Sequence, residues 1–139
     1  MVKKEWSRHW CKSRKPNKQR KYRANAPLHI VHKLMAAHLS KELRQKYKKR
    51  SLPVRKGDKV KIERGKFKHL IGEIEKVSLA KRKVLVRGAE IQKKAGAVKI
   101  PVWIEPSNLT IVSLNLDDKA RVRVLTHIPQ SALKGGKNV

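Results

Sequence analysis

At 139 residues the chain allows one compact domain with some extended arms. Its 37 Lys or Arg against 10 Asp or Glu leave a formal net charge of +27, and a self-contained domain with that excess repels itself unless a polyanion supplies the counter-charge. Hydrophobic residues make up 39% but aromatics only 4%, so a small aliphatic core is expected and no apolar run approaches the roughly 18 residues of a membrane-spanning helix.

The charge is uneven along the chain: residues 1–56 hold 19 Lys or Arg and 2 acids, residues 57–139 hold 18 and 8. Residues 1–25 are rich in Lys and Arg, interspersed with Pro16, Asn17 and Asn25, and show no period. Such a segment cannot bury enough surface to fold alone and reads as an extended basic arm that orders on its partner. Its cations lack the apolar stretch of a secretory signal, and no amphipathic helical period of a transit peptide runs through it. Cys11 is the only cysteine, which excludes an intramolecular disulfide and suits a reducing, cytoplasmic setting. His9 and Cys11 offer two of the four ligands a structural zinc site needs, so no metal is expected; nor does a cysteine in such an arm have the positioned base of a nucleophile. Trp6 and Trp10 could stack on bases or pack on a neighbouring protein.

Residues 26–53 are helical in character. Pro27 suits a first helical position, and Leu28, Val31, Leu34 and Met35 recur at three- and four-residue spacing. Ser40 can cap a second short helix with Glu42 in its first turn, placing Leu39, Leu43 and Tyr47 on one face. The bland reading of His29, His32 and His38 is favoured: polar positions that face RNA or solvent.

From Gly57 the period changes to 2. Val60 and Ile62 alternate with charges, as do Val84 and Val86, and Ile100, Val102 and Ile104; Ile71–Val77 and Asn108–Leu114 complete about five short strands. Glycines punctuate them at turns, and the set suggests a small closed barrel over residues 54–116. Trp103 alternates away from its apolar neighbours and is expected to pack on the outside of the barrel. Adjacent Asp117 and Asp118 mark a turn or helix start rather than an acid/base pair, and residues 117–139 form a basic tail. No constellation supports an enzyme, a cofactor or a small-molecule substrate. A membrane-surface role would need a broad apolar helical face, whereas residues 28–38 offer a narrow stripe interrupted by histidines.

The densest signal runs from Val54 through Arg55-Lys56-Gly57-Asp58 and Glu63-Arg64-Gly65 to Lys66-Phe67-Lys68-His69-Leu70-Ile71-Gly72. It reads as a turn, a strand and a glycine-containing turn whose tip projects Arg64, Lys66, Lys68 and His69. A backbone able to approach closely at Gly65, flanked by long cationic side chains, suits a phosphate backbone. Residues 54–80 resemble a KOW motif. Together with Ala26-Pro27-Leu28-His29, the run Leu39 to Tyr47, and Ile104-Glu105-Pro106-Ser107-Asn108-Leu109, the chain resembles the universal large-subunit ribosomal protein twenty-four family in its archaeal and eukaryotic form, over roughly residues 18–125. His69 stands where that family's hairpin usually has glycine, a place where His tolerates positive φ better than most residues.

The fold expected on this basis is mainly β: a five-stranded SH3-like KOW barrel with an N-terminal helical segment and the extended arm. The expected function is structural, the binding and organising of large-subunit rRNA and support of subunit assembly. The resemblance further implies an early-transcribed 5′ domain of that RNA and neighbouring ribosomal proteins near the peptide exit tunnel. Phosphate neutralisation is expected from Lys12, Arg14, Lys15, Lys18, Arg20, Lys21 and Arg23 in the arm, and from Lys33, Arg44, Lys48 and Arg50 in the helical segment. Arg55, Lys56, Arg64, Lys66, Lys68 and His69 contribute around the first hairpin, and Lys81, Arg82, Lys93 and Lys94 from later turns. Ser107 and Asn108 could donate to phosphate or stabilise their turn. A KOW-containing transcription-elongation factor that binds RNA polymerase is the alternative, one that would share only the barrel.

Overall fold

The computed structural model of the protein describes residues 6, 7, 9, 12–93 and 98–126. Helix α1 spans Pro16–Ala24, with Pro16 in the first turn and Lys21 and Arg23 in the last, where cations complement the helix dipole. This corrects the expectation of an extended arm over these residues. The helix is polar all round and buries no residue, which is why no period announces it; such helices lean on external partners. Here the Trp6 indole stacks on Tyr22 with ring centroids 4.9 Å apart and donates a hydrogen bond to the Tyr22 carbonyl at 3.1 Å.

Helix α2, Leu28–Leu34, starts one residue after Pro27 and turns Val31 into the core, where Met35 joins it just past the helix end. Leu28 and Leu34, from the same predicted stripe, remain exposed. The next four residues, Ala36–Leu39, form strand β1 rather than continued helix, with alternate residues buried. Ser40 then caps α3 (Lys41–Tyr47), its hydroxyl accepting from the Leu43 amide at 3.4 Å, and Glu42 lies in the first turn as expected. Lys48 closes that helix in the left-handed conformation at φ 53°.

The remaining strands are β2 (Ser51–Pro53), β3 (Lys59–Ile62), β4 (Ile71–Ser78), β5 (Lys83–Gln92), β6 (Lys99–Ile104) and β7 (Leu109–Ser113), followed by α4 (Lys119–Thr126). They form a mixed seven-stranded sheet in the order β2-β1-β7-β3-β4-β5-β6, so the expected closed five-stranded barrel is overturned. Closure would require β6 to pair with β7. Both edges of β7 are taken: β3 pairs antiparallel along one, and β1 pairs parallel along the other through His38↔Thr110 and Leu39↔Ile111. A single 3-10 turn at Pro106–Asn108 leads β6 into β7, and β6 hydrogen-bonds only to β5 among the described strands.

Leu39, Val60, Ile62, Ile74, Val84, Leu109, Ile111 and Leu125 are essentially inaccessible and form the aliphatic core. Gly72 is required by close packing, since a Cβ there would collide with the Arg87 carbonyl oxygen of the neighbouring strand.

One ion pair lies inside this core. Asp58, at the entrance to β3, is fully buried and receives the Arg121 guanidinium of α4 in a two-pronged contact at 2.6 and 2.7 Å. The carboxylate also accepts from the Arg55 amide at 2.9 Å and the Asn115 amide at 3.0 Å, while Arg121 donates to the Asn115 and Pro53 carbonyls. The helix carrying Arg121 begins where the acid pair was expected to mark a start. The Asp118 carboxylate accepts from the Ala120 amide at 2.8 Å and pairs with Arg55. The Ala120 bond first, then the Arg55 guanidinium, hold its pKa below the ordinary 3.8 against some desolvation.

Removing one partner of a buried ion pair leaves an uncompensated charge and costs about 3–5 kcal/mol. Arg121→Ala should therefore lower the denaturant midpoint by a large fraction of total stability. Arg121→Lys should recover less than half of it, because an ammonium cannot reproduce the fork. Chemical denaturation followed by circular dichroism measures both, and an Arg121→Ala midpoint equal to wild type would show that α4 does not depend on the pair.

Candidate nucleic-acid interface

The hairpin joining β3 to β4 is built to carry cations on an apolar anchor. The Ile62 amide donates to the Leu70 carbonyl at 2.9 Å and the His69 amide to the Ile62 carbonyl at 2.7 Å, while Lys68 to Gly65 and Leu70 to Phe67 bonds tighten the tip. Gly65 has φ 93° and His69 φ 71°, so His69 occupies the left-handed conformation that glycine adopts freely. Phe67 and Leu70 pack against the core, whereas Arg64, Lys66, Lys68 and His69 are exposed. Beyond the tip, the Glu63 amide donates to the Asn108 carbonyl at 2.9 Å. That bond locks the hairpin against the 3-10 turn, within which Ser107 is exposed and Asn108 half-buried.

Lys12, Arg14 and Lys15 precede α1, and Lys18, Arg20, Lys21 and Arg23 lie along it; none of the seven is buried. Arg82, in the β4–β5 turn at φ 52°, donates to the Arg23 carbonyl and so brings α1 against that turn. Beside it the Lys81 ammonium lies 4.9 Å from the centroid of the half-buried Trp103 ring, a cation–π contact. Lys33, Lys56 and Lys93 are exposed, and Lys48 and Arg50 are not buried. Lys94 lies outside the described residues, as do Trp10 and Cys11. Two expected contacts are partly spent within the protein: Arg44 donates to the Leu39 carbonyl at 2.7 Å, and Arg55 pairs with Asp118.

Further cations stand at outward positions of the strands themselves, which the turns and arm had overshadowed in the sequence. Lys59, Lys76, Arg87 and Lys99 are exposed; alternation with buried Val60 and Val86 was a visible signal for Lys59 and Arg87, whereas Lys76 follows exposed Glu75 at a register shift and Lys99 opens a run of exposed residues. Trp6 stacks within the chain, on Tyr22. His29 is exposed, and His32 and His38 are half-buried, with the His38 Nδ1 buried without a hydrogen-bond partner.

The ion pairs among the described residues are Arg55–Asp118, Lys61–Glu63, Arg87–Glu75 and Arg121–Asp58. Set against 37 Lys and Arg, internal pairing neutralises only a small part of the charge, and most of the described Lys and Arg are exposed, along α1, at the hairpin tip and in the later turns among other places. Among the described residues no group of three or more His, Cys, Asp or Glu side chains could hold a metal ion, and no helix is long and apolar enough to cross a membrane.

Comparison with known proteins gives a family match over residues 13–127 to the eukaryotic ribosomal proteins L26 and their archaeal L24 counterparts. The chain is also similar to the large ribosomal subunit protein uL24 of Korarchaeum cryptofilum (strain OPF8). The two are 46% identical over 114 residues, covering 82% of this chain and 86% of the relative.

If the hairpin tip contacts phosphates, Arg64→Ala with Lys66→Ala should weaken binding to many RNAs alike. The slope of log affinity against log salt should fall by about 1–2, since each neutralised phosphate contributes about 0.7–0.9 to it. Anisotropy titrations at several salt concentrations measure this, and an unchanged slope would remove the tip from the interface.

Proposed function

The chain belongs to the ribosomal protein family that comprises eukaryotic L26 and archaeal L24, and from that membership we propose that it fastens large-subunit rRNA through the hairpin tip, α1 and the basic turns. It is a structural, RNA-binding protein of the large ribosomal subunit and not an enzyme. The observation that carries this conclusion is the extent of the match, from residue 13 to residue 127. That range takes in α1, α2 and α3 as well as the KOW-like segment, and a polymerase-binding factor sharing only the latter does not account for it.

The charge excess supports rRNA as the counter-charge. Phosphate neutralisation and counterion release supply the affinity, and the shape of the RNA supplies the selection. We assign the binding segment to the 5′ domain of the large-subunit RNA, with neighbouring ribosomal proteins near the exit tunnel as further partners and a role in early assembly of the subunit. Cytoplasmic ribosomes are the assigned location. These assignments follow the family resemblance and not the composition.

Fractionation of cell lysate on a sucrose gradient tests the reading directly. Co-migration with the large subunit that survives a moderate salt wash is the expected outcome; sedimentation at the top of the gradient, or with polymerase, would overturn it. Separately, α1 buries no residue, so deleting residues 1–25 should leave the unfolding midpoint of the sheet nearly unchanged. The same deletion removes ten Lys or Arg and should reduce the salt slope of RNA binding by about 3–5. Loss of the sheet's circular dichroism signal in that truncation would contradict the independence of the arm.

A further inference from the structure

An open groove of about 600 Å³ lies between α2 and β4. Val54, Val77 and Leu79 supply its apolar lining, the first buried and the others half-buried against the core. Arg55, Lys56 and Lys76 bring three cations to it, Glu75 brings one carboxylate, and the His32 ring completes the lining. The volume falls within the roughly 300–1,000 Å³ of pockets that hold small organic groups. Lys76 and Glu75 belong to none of the contacts expected from the sequence.

A duplex meets a basic surface with its phosphates, and an apolar depression adds nothing to that contact. An unpaired base fits it differently: its faces are apolar or stack on aromatic side chains including His, its edge needs polar partners, and its own phosphates need cations. The carboxylate is the informative element. In a chain with 10 acids against 37 cations, an acid on a phosphate-binding face repels the ligand unless it accepts hydrogen bonds from it. Glu75 sits at a register shift where Ile74 pairs with Val86 and Lys76 with Leu85, a bulge of the kind that re-aims a side chain. Its ion pair with Arg87 is loose, 3.8 Å between side chains that are 54% and 76% exposed, so the carboxylate remains available. Among the four bases, guanine alone presents two adjacent donors, N1–H and the N2 amino group, to a bidentate carboxylate.

We propose that the groove between α2 and β4 receives a single unpaired nucleotide of RNA and prefers guanine. The Val54, Val77 and Leu79 surface takes the base, the Glu75 carboxylate accepts from its Watson–Crick edge, and Lys56, Lys76 and Arg55 take the flanking phosphates. This deepens the RNA-binding reading and rests on it.

The test uses the full chain and RNA hairpins of one stem, carrying no bulge or a single bulged G, A, C or U, with affinity read by anisotropy. The bulged-G hairpin should bind about tenfold tighter than the fully paired stem and several-fold tighter than bulged A. Glu75→Gln, at an exposed position, should erase the preference for G while keeping that for a bulge. Leu79→Lys adds a cation, so it should leave binding to the paired stem equal or tighter while abolishing the bulge preference. Equal binding of bulged and paired stems by the wild type would overturn the pocket while leaving the RNA-binding reading intact. A preference for bulged C or U would overturn the guanine assignment. Failure to bind any of the hairpins, or large-subunit rRNA itself, would instead overturn the RNA-binding reading beneath it.

Discussion

The Asp58–Arg121 pair is the constraint on which the architecture turns. Asp58 and Arg121 are the only buried charged residues among those described, and their contacts reach four places in the chain. The end of β2 is held through the Pro53 carbonyl, the turn into β3 through the Arg55 amide, the exit from β7 through Asn115, and α4 through Arg121 itself. Apolar packing alone would leave α4 weakly placed, since it buries only Leu125 besides Arg121. A two-pronged guanidinium–carboxylate contact is directional where hydrophobic burial is not. The Lys49 ammonium, donating to the Val124 carbonyl, adds a second polar tie between α4 and the segment after α3. The buried pair is itself neutral, so the whole excess of +27 lies outside it, and the fold accommodates that excess by spreading its cations outward.

The spreading follows from strand alternation and from apolar anchors beneath the charged tips. At the first hairpin, Phe67 and Leu70 bind the turn to the core while Arg64, Lys66, Lys68 and His69 stand clear of it. At the β4–β5 turn, Trp103 gives Lys81 a ring to lie over, and Arg82 reaches back to the carbonyl of Arg23. A polyanion bound across α1 and this turn would thus meet cations whose positions are already restricted. Less side-chain entropy is then lost on binding than from freely rotating lysines.

Much of this was legible in the residues, for identifiable reasons. Ser40 and Glu42 announce α3 because capping is local chemistry, and the hairpin from Val60 to Ile71 announces itself by alternation and Gly65. Strands β1 and β2 were not legible. Ala36–Leu39 has neither β-branched residues nor a breaker before it, and it becomes a strand because β7 offers a free edge, a long-range event that local propensity does not encode. The barrel failed for the same reason: with β1 on one edge of β7 and β3 on the other, β6 has no edge of β7 to close on. Helix α1 escaped notice because it has no apolar face for a period to reveal. Of the site, outward cations such as Lys59 and Arg87 were readable from alternation, but nothing in the sequence showed that Arg55 is engaged by an acid 63 positions away.

Three residues other than glycine adopt positive φ among those described: Lys48, His69 and Arg82. A left-handed conformation costs an L-residue roughly 1–2 kcal/mol relative to glycine's freedom, and the chain uses glycine at comparable turns, Gly57, Gly65 and Gly88. Glycine was therefore accessible at all three positions, yet each carries a basic side chain and lies among the contacts the sequence assigns to RNA. Arg82 is the informative case, since its guanidinium is already engaged with the Arg23 carbonyl and so ties the arm to the sheet at the same turn that presents Lys81. Folding stability is given up at these three turns, and at Arg82 the strained residue returns part of it through its own bond to the Arg23 carbonyl.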